Sequence, residues 1–257
     1  MDAESIEQRA IARYSEIAGS FEVGYHRQKT GQDIAFAYGR KRLETYLYPS
    51  LEAGGKDVLD VGCGTGHYIN ELSRRGLDVS GVDGSTEMLK HARANNPGAD
   101  IRQARVQELP FPDGSFDSVI CIEVLRYLPN PVQCIREMAR VLKPGGLCLA
   151  TAVPRLNLNG SWLLNRIDAI LFIPSLNHLR QHFTSSRELR KQFTAAGFYN
   201  PDIRGVYFGP TSWIMRFAPK LLPGFLRWRE PRDAKLANIP SRADFSNMCL
   251  VSARKRQ

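Results

Sequence analysis

The sequence predicts an α/β fold built on a mostly parallel sheet with helices on both faces. Three observations carry that expectation. Short apolar runs alternate with helix-like segments from Asp57 to Ala152, the rhythm of repeated strand–helix units. The first run, Val58-Leu59-Asp60-Val61, feeds the turn Gly62-Cys63-Gly64-Thr65-Gly66, and a turn of this kind lets backbone N–H groups approach a ligand closely. The 257 residues are 43% apolar and 24% charged, which suits one large domain, or one domain with a cap, around a substantial core.

The elements follow in order. Ile6, Ala10, Ile11, Tyr14, Ile17 and Ala18 recur at helical spacing, with Gly19 as a stop. A second helix is expected from Asp33 to Tyr48, closed by Pro49. Between them Phe21–His26 is rich in aromatics and glycine and reads as a lid or as a packed connector. Strands are expected at Asp57–Val61, Asp78–Val82, Ala99–Gln103, Phe116–Ile122 and Leu147–Ala152. Helices run from His67 to Arg75, from Ser85 (a cap, with Met88 one turn in) to about Asn95, and from Val132 to Leu142. Lys143-Pro144-Gly145-Gly146 breaks the chain before the fifth strand. Later, Thr184–Leu189 resembles a capping box opening a helix to Ala196, and Asp202–Phe208 reads as a strand.

In a parallel sheet of this kind ligands bind beyond the carboxyl ends of the strands, where the glycine turn lies. A dinucleotide turn spaces its glycines G-x-G-x-x-G, whereas here the third comes one position sooner, at Gly66. Asp83 ends the second strand 17 residues past Gly66. It is placed to accept hydrogen bonds from two ribose hydroxyls, so a nucleoside is still implied. No G-K-[ST] follows the turn, which excludes a P-loop.

Four ordered motifs carry a family resemblance: Val58–Gly66, Gly81–Leu89, Leu109–Asp117 and Leu142–Gly146. Together they resemble class I S-adenosylmethionine-dependent methyltransferases, in particular the small-molecule group that includes quinone-biosynthesis enzymes. The resemblance covers about residues 57–153, with a weaker echo from Phe183 to Phe198. It implies a Rossmann-like seven-stranded sheet, the last strand (Asn247–Arg254) antiparallel, plus a helical cap. It further implies a single domain over 1–257, with an N-terminal cap at 1–50, a cofactor core at 57–153, and insertions at 154–183 and 210–246 over the substrate.

The same resemblance assigns S-adenosylmethionine as methyl donor and S-adenosylhomocysteine as product. Asp60 and the turn Gly62, Cys63, Gly64, Gly66 would hold the methionine part and Asp83 the ribose. Gly84, Met88 and Val106 would line the adenine, and Cys121 would border the cofactor. The family usually places an acid shortly before Leu-Pro-Phe to contact the adenine amine, but that position is Arg105. Arginine has donors only. Either the backbone at Val106 suffices, or Gln107 or Glu108 substitutes, or cofactor affinity is reduced, or the loop is shifted with Arg105 in solvent.

Direct displacement at a sulfonium needs alignment more than a base. Where a base is used, Glu123, His26 and the pair His178 and His182 are candidates, each with a structural role as its alternative. Arg126, Tyr127, Tyr25 and Trp213 are candidate contacts of the acceptor. A metal is not expected, because the two histidines lack the H-E-x-x-H pattern and the five cysteines lack C-x-x-C spacing. Scattered thiols, an acidic polar N-terminus and no apolar run near the ~20 residues of a membrane span suggest a cytoplasmic protein.

Net charge is +9, and it is uneven: residues 1–150 hold 18 Lys/Arg against 20 Asp/Glu, residues 151–257 hold 17 against 6. The basic excess marks an anionic partner (a phosphate-bearing substrate, a membrane surface or RNA) or a solvated face. Aromatic and basic residues interleave over 211–229, which suits either a cap over an apolar acceptor or peripheral membrane contact. No RNA-binding module is recognisable, so nucleic acid is not expected. The sequence expectation is methyl transfer to a small-molecule or lipid-like acceptor on oxygen, nitrogen or carbon. The alternatives are a cofactor-binding regulatory protein without transfer, or an RNA methyltransferase using the basic C-terminal part.

Overall fold

The structure is a computed structural model, and it describes residues 4–26, 30–160 and 182–257. Eight strands form one sheet. They are β1 (Asp57–Val61), β2 (Asp78–Asp83), β3 (Ile101–Gln103), β4 (Phe116–Cys121), β5 (Leu142–Pro154), β6 (Phe183–Thr184), β7 (Phe198–Tyr207) and β8 (Met248–Lys255). The order is β3-β2-β1-β4-β5-β8-β7, with β6 pairing only the end of β5. The pairs among β1 to β5 are parallel, and β8 runs antiparallel to both β5 and β7. The seven expected strands are all present, and the two-residue β6 is an addition.

Both faces of this sheet are buried, as a parallel sheet requires. Alternation along the strands divides the core in two. Leu59, Val61, Val119, Cys121, Cys148 and Ala150 face one side, with α5 (Pro131–Val141) and α6 (Ser186–Ala195) packed on them. Val58, Ile120, Leu147 and Leu149 face the other, beneath α2 (Gly31–Glu52), α3 (His67–Ser73) and α4 (Thr86–Asn95). Asp60 shares that second face of β1, at the end where the glycine turn begins.

Several boundaries differ from the sequence expectation: β7 begins at Phe198 rather than Asp202 and β3 at Ile101 rather than Ala99, and three further differences have a plain physical reason. The first helix, α1 (Glu4–His26), runs through Gly19, so Phe21–His26 is helix rather than a lid or connector. A mid-helix glycine costs about 1 kcal/mol, and buried Ala10 and Ala18 together with Ile11, packed against Gly84, outweigh it. The helix α2 begins on a capping box between Thr30 and Asp33 and continues past Pro49 to Glu52. Its register is held by Leu43, Leu47 and Leu51, buried four residues apart, each contributing about 1.5–3 kcal/mol. Strand β5 begins at Leu142 rather than Leu147, because pairing with β4 jumps from Phe116↔Leu142 to Ser118↔Leu147. Lys143–Gly146 is therefore a bulge inside the strand, with Gly145 at φ +77°.

The segment 210–246 forms α7 (Thr211–Phe217), a short 3₁₀ turn (Pro219–Leu221), α8 (Leu222–Ala237) and a second 3₁₀ turn (Pro240–Phe245). The buried carboxylate of Asp233 fastens α8 to the body. It accepts from Tyr38 on α2 at 2.7 Å, from Arg229 at 3.0 Å and from the Phe208 N–H at 3.3 Å.

Candidate active site

The carboxyl ends of β1, β2 and β4 open on one cavity. Asp60, Gly62, Cys63, Gly64, Asp83, Gly84, Met88, Val106, Glu123, Arg126 and Tyr127 line it, so most of the sequence-derived site converges there. Gly66 and Cys121 do not line it. Gly66 is the left-handed cap of α3, where an added Cβ would meet Asn96 at 2.4 Å. Cys121 points into the core beside Cys134, and its hydrogen bond with Cys134, then burial, push its thiol up.

Four N–H groups of the glycine turn, those of Gly62, Cys63, Gly64 and Gly66, are already engaged within the protein. The N–H groups of Gly62 and Cys63 donate to the Val82 carbonyl at 2.7 and 2.9 Å, and that of Gly66 donates to Cys63. The Gly64 N–H donates to Asp83 Oδ2 at 2.9 Å. An added Cβ at Gly64 meets nothing within 4 Å, whereas one at Gly62 would lie 2.2 Å from Val124 Cγ2.

Two carboxylates stand behind this opening. Asp83 is fixed by the Gly64 N–H and by the Ser85 N–H on Oδ1 at 2.8 Å. Burial raises its pKa while these hydrogen bonds pull it back. Asp60 is 2% exposed and its Oδ2 has no hydrogen-bond partner in the structure. Burial first, then the neighbouring charge of Asp83, pushes Asp60 up to about 8. A buried, unpartnered carboxylate on a cavity wall is a socket for a cation.

The loop after β4 supplies the opposite wall. Glu123 has φ +62°, a left-handed conformation costing a non-glycine residue about 1–2 kcal/mol. Its N–H is held by the Thr151 hydroxyl at 2.7 Å. Its carboxylate pairs with Arg126, and Oε1 has no hydrogen-bond partner. Glu123 first among the neighbouring charges raises the Arg126 pKa against the effect of burial, so Arg126 stays charged. The Tyr127 hydroxyl lies 2.8 Å from that of Tyr14.

Tyr14 belongs to α1, and its place on the cavity wall is not visible in the sequence. Glu7, Ala10, Ile11 and Tyr14 of α1, with Phe36, Arg40 and Leu43 of α2, line the cavity from the cap side. The signal was available only as helical spacing, which does not say which face meets a ligand. Arg105 sits 3.4 Å from Glu7, whose Oε2 also accepts from Gln107 at 2.7 Å.

The remaining candidates lie elsewhere. The side chains of Tyr25 and His26, and all of His178 with residues 161–181, lie outside the described residues. His182 donates its N–H to the Arg126 carbonyl at 2.6 Å. Its imidazole is not among the groups lining the cavity, and burial lowers its pKa. Trp213 stacks on Phe217 of α7 instead, and no described residue of 210–246 lines the cavity. All five cysteines are free and buried, and no metal-holding cluster of His, Cys, Asp or Glu occurs among the described residues.

A parallel sheet with a shortened glycine turn, a braced acid ending β2 and a buried, unpartnered carboxylate in β1 is the arrangement expected of the methyltransferase class. Comparison with known proteins agrees. Residues 59–150 match the family described as a methyltransferase domain. The chain is 33% identical over 180 residues to a ubiquinone biosynthesis O-methyltransferase of Xanthomonas euvesicatoria, covering 66% of this chain and 73% of that protein. It is 34% identical over 166 residues to the protein of that name from Psychrobacter arcticus, covering 61% of this chain but only 64% of its relative. Its fold is similar to that of a Thermotoga maritima S-adenosylmethionine-dependent methyltransferase, described as a possible histamine N-methyltransferase. There the TM-score is 0.64 and the identity 16%, over 95% of this chain and 98% of the other. The chain belongs to the class I S-adenosylmethionine-dependent methyltransferase family.

Proposed function

We propose that this protein transfers the methyl group of S-adenosylmethionine to a small, apolar or lipid-like acceptor. The observation that carries the reading is the empty-handed Asp60 carboxylate, buried beside the open face of Gly64 and the braced Asp83. These residues fit the cofactor. Asp60 would take its ammonium, Asp83 would take the ribose hydroxyls, and the missing side chain of Gly64 would leave room for the chain between them. The bound cofactor supplies an electrophilic methyl on a sulfonium. The protein's own part is alignment, worth on the order of 7–11 kcal/mol when geometry is held.

The acceptor side of the cavity is framed by Glu123, Arg126, Tyr127 and Tyr14. Glu123 is the group placed to take a proton from an acceptor hydroxyl, because its Oε1 is unpartnered and its strained backbone is held by Thr151. Arg126 fixes the other carboxylate oxygen. The relatives named as ubiquinone biosynthesis O-methyltransferases favour an oxygen acceptor on an apolar, quinone-related molecule. An acceptor of that kind would partition into membranes, and exposed Trp213, Phe217, Lys220, Arg227 and Trp228 support peripheral membrane contact. No helix among the described residues is long and apolar enough to cross a membrane.

Calorimetry with S-adenosylmethionine and S-adenosylhomocysteine tests the donor, and binding of neither overturns this reading. Transfer is tested by supplying methyl-labelled cofactor with lipid extracts, phenolic metabolites and RNA. Label should enter the lipid or phenolic fraction and depend on Glu123. Labelling of RNA alone would replace the acceptor assignment, and binding without any labelling would leave a regulatory cofactor-binding protein.

A further inference from the structure

Among the described residues, four carboxylates line the cavity: Asp60, Asp83, Glu123 and Glu7. The first three lie at the carboxyl ends of β1, β2 and β4, Asp60 and Asp83 within their strands and Glu123 two residues past the third. Glu7 comes from the other side, on α1, and its place in the sheet order gives it a meaning. The order β3-β2-β1-β4 lays Asp83 between Asp60 and the end of β3. A nucleoside with its ribose on Asp83 and its charged tail toward Asp60 therefore directs its base toward β3. The chain leaving β3 carries Ala104, Arg105 and Val106 along the cavity, and Glu7 meets it there.

Glu7 is 9% exposed and is held in place from the loop. Gln107 Nε2 donates to Oε2 at 2.7 Å, and the Arg105 guanidinium lies 3.4 Å from the same oxygen. Both contacts use Oε2, which leaves Oε1 as an acceptor. A carboxylate accepts and cannot donate. Adenine presents a donor, its exocyclic amine, whereas hypoxanthine presents a carbonyl oxygen at the same position. A carboxylate at this end thus favours the first base and repels the second.

We propose that Glu7, reaching across from α1, accepts the amine of the cofactor's adenine and is the residue by which this protein selects adenine, with Arg105 and Gln107 as its positioning residues. The proposal rests on the cofactor reading above. It also gives Arg105 a role. The loop carries a cation where a carboxylate would serve directly, and the cation holds a carboxylate delivered from a residue 98 positions earlier.

The test is calorimetric comparison of S-adenosylhomocysteine with S-inosylhomocysteine, in the wild type and in Glu7→Ala and Glu7→Gln. The wild type should prefer the adenosyl compound by roughly 10- to 100-fold, the range that one hydrogen bond to a charged group supports. Glu7→Ala should bring the two ligands within a few-fold of each other. Glu7→Gln, which is isosteric and whose amide can donate to the hypoxanthine oxygen, should do the same or reverse the order. The ratio is taken within one variant, so a general loss of stability does not mimic the result. If the wild type binds S-adenosylhomocysteine and the variants keep its discrimination, the role of Glu7 is overturned and the cofactor reading stands. Failure of the wild type to bind S-adenosylhomocysteine overturns both.

Discussion

Gly62 and Gly64 stand two residues apart in one turn, both at positive φ (+79° and +54°), yet their neighbours assign them different work. A Cβ at Gly62 would penetrate the Val124 side chain, so Gly62→Ala combines left-handed strain with overpacking, together about 2–5 kcal/mol. Gly64→Ala carries the strain alone, about 1–2 kcal/mol, because its Cβ projects into open cavity. Thermal unfolding should therefore show a large loss for the first and a small one for the second, while calorimetry shows cofactor binding lost in both. Asp60 gives a second residue-level expectation. Its carboxyl is pushed up to about 8, against about 3.9 in an unfolded chain. Between those values the folded protein keeps a proton that the unfolded chain has released. Stability then falls as pH rises, by at most about 1.4 kcal/mol per unit, and levels off above about 8. Denaturant titrations of the wild type and Asp60→Asn across this window should show that slope only in the wild type. An ammonium-bearing ligand needs the ionised form, so wild-type affinity should rise with pH toward 8, and the variant should bind weakly throughout.

Among the elements, α1 lines the cavity from the cap side and is expected to control cofactor exchange. Side-chain pairs fasten it along the cavity: Glu7 to Gln107 at 2.7 Å, Ser15 to Ser85 at 2.7 Å, and Tyr14 to Tyr127 at 2.8 Å. Each reaches a loop at the carboxyl edge of the sheet, so a ligand beneath the helix leaves only when these contacts open. Tyr14→Phe removes one neutral hydrogen bond, about 0.5–1.5 kcal/mol. Stopped-flow release of S-adenosylhomocysteine should quicken by about 2- to 10-fold, and an unchanged rate would remove α1 from the gate. The strands and the turn were legible in the sequence because the periodicity of β1 and the left-handed glycine positions are local properties. The two N-terminal helices were legible too but their ends were not, since Gly19 and Pro49 read locally as stops and burial of Ala18 and Leu51 carries the helices through them. Arg105 was legible as a departure. Its partner Glu7 was not, because nothing local joins residues 98 positions apart.

At the scale of the whole molecule, charge and exposed apolar surface gather in one half. Residues 151–257 carry 17 Lys/Arg against 6 Asp/Glu. Along α7, the 3₁₀ turn and α8, Phe217 and Leu221 are 69% and 67% exposed, and Trp228 lies under the Arg232 guanidinium at 4.0 Å. Lys220, Arg227 and Lys235 are exposed on the same stretch. Because Asp233 anchors α8 from its buried side, this surface is presented outward on a fixed element. The arrangement suits an anionic lipid surface: each cation near it contributes about 1 kcal/mol, and apolar side chains add their buried area. The protein should sediment with phosphatidylglycerol vesicles at low salt, and much less with phosphatidylcholine vesicles. Salt should weaken the association, since the Debye length shrinks to about 8 Å at physiological ionic strength. Phe217→Ser with Leu221→Ser should lower the bound fraction several-fold while leaving S-adenosylhomocysteine affinity unchanged, because neither residue lines the cavity. Protein that stays in the supernatant with anionic vesicles at low salt would rule out the membrane contact, and an apolar acceptor would then have to reach Glu123 and Tyr127 from solution.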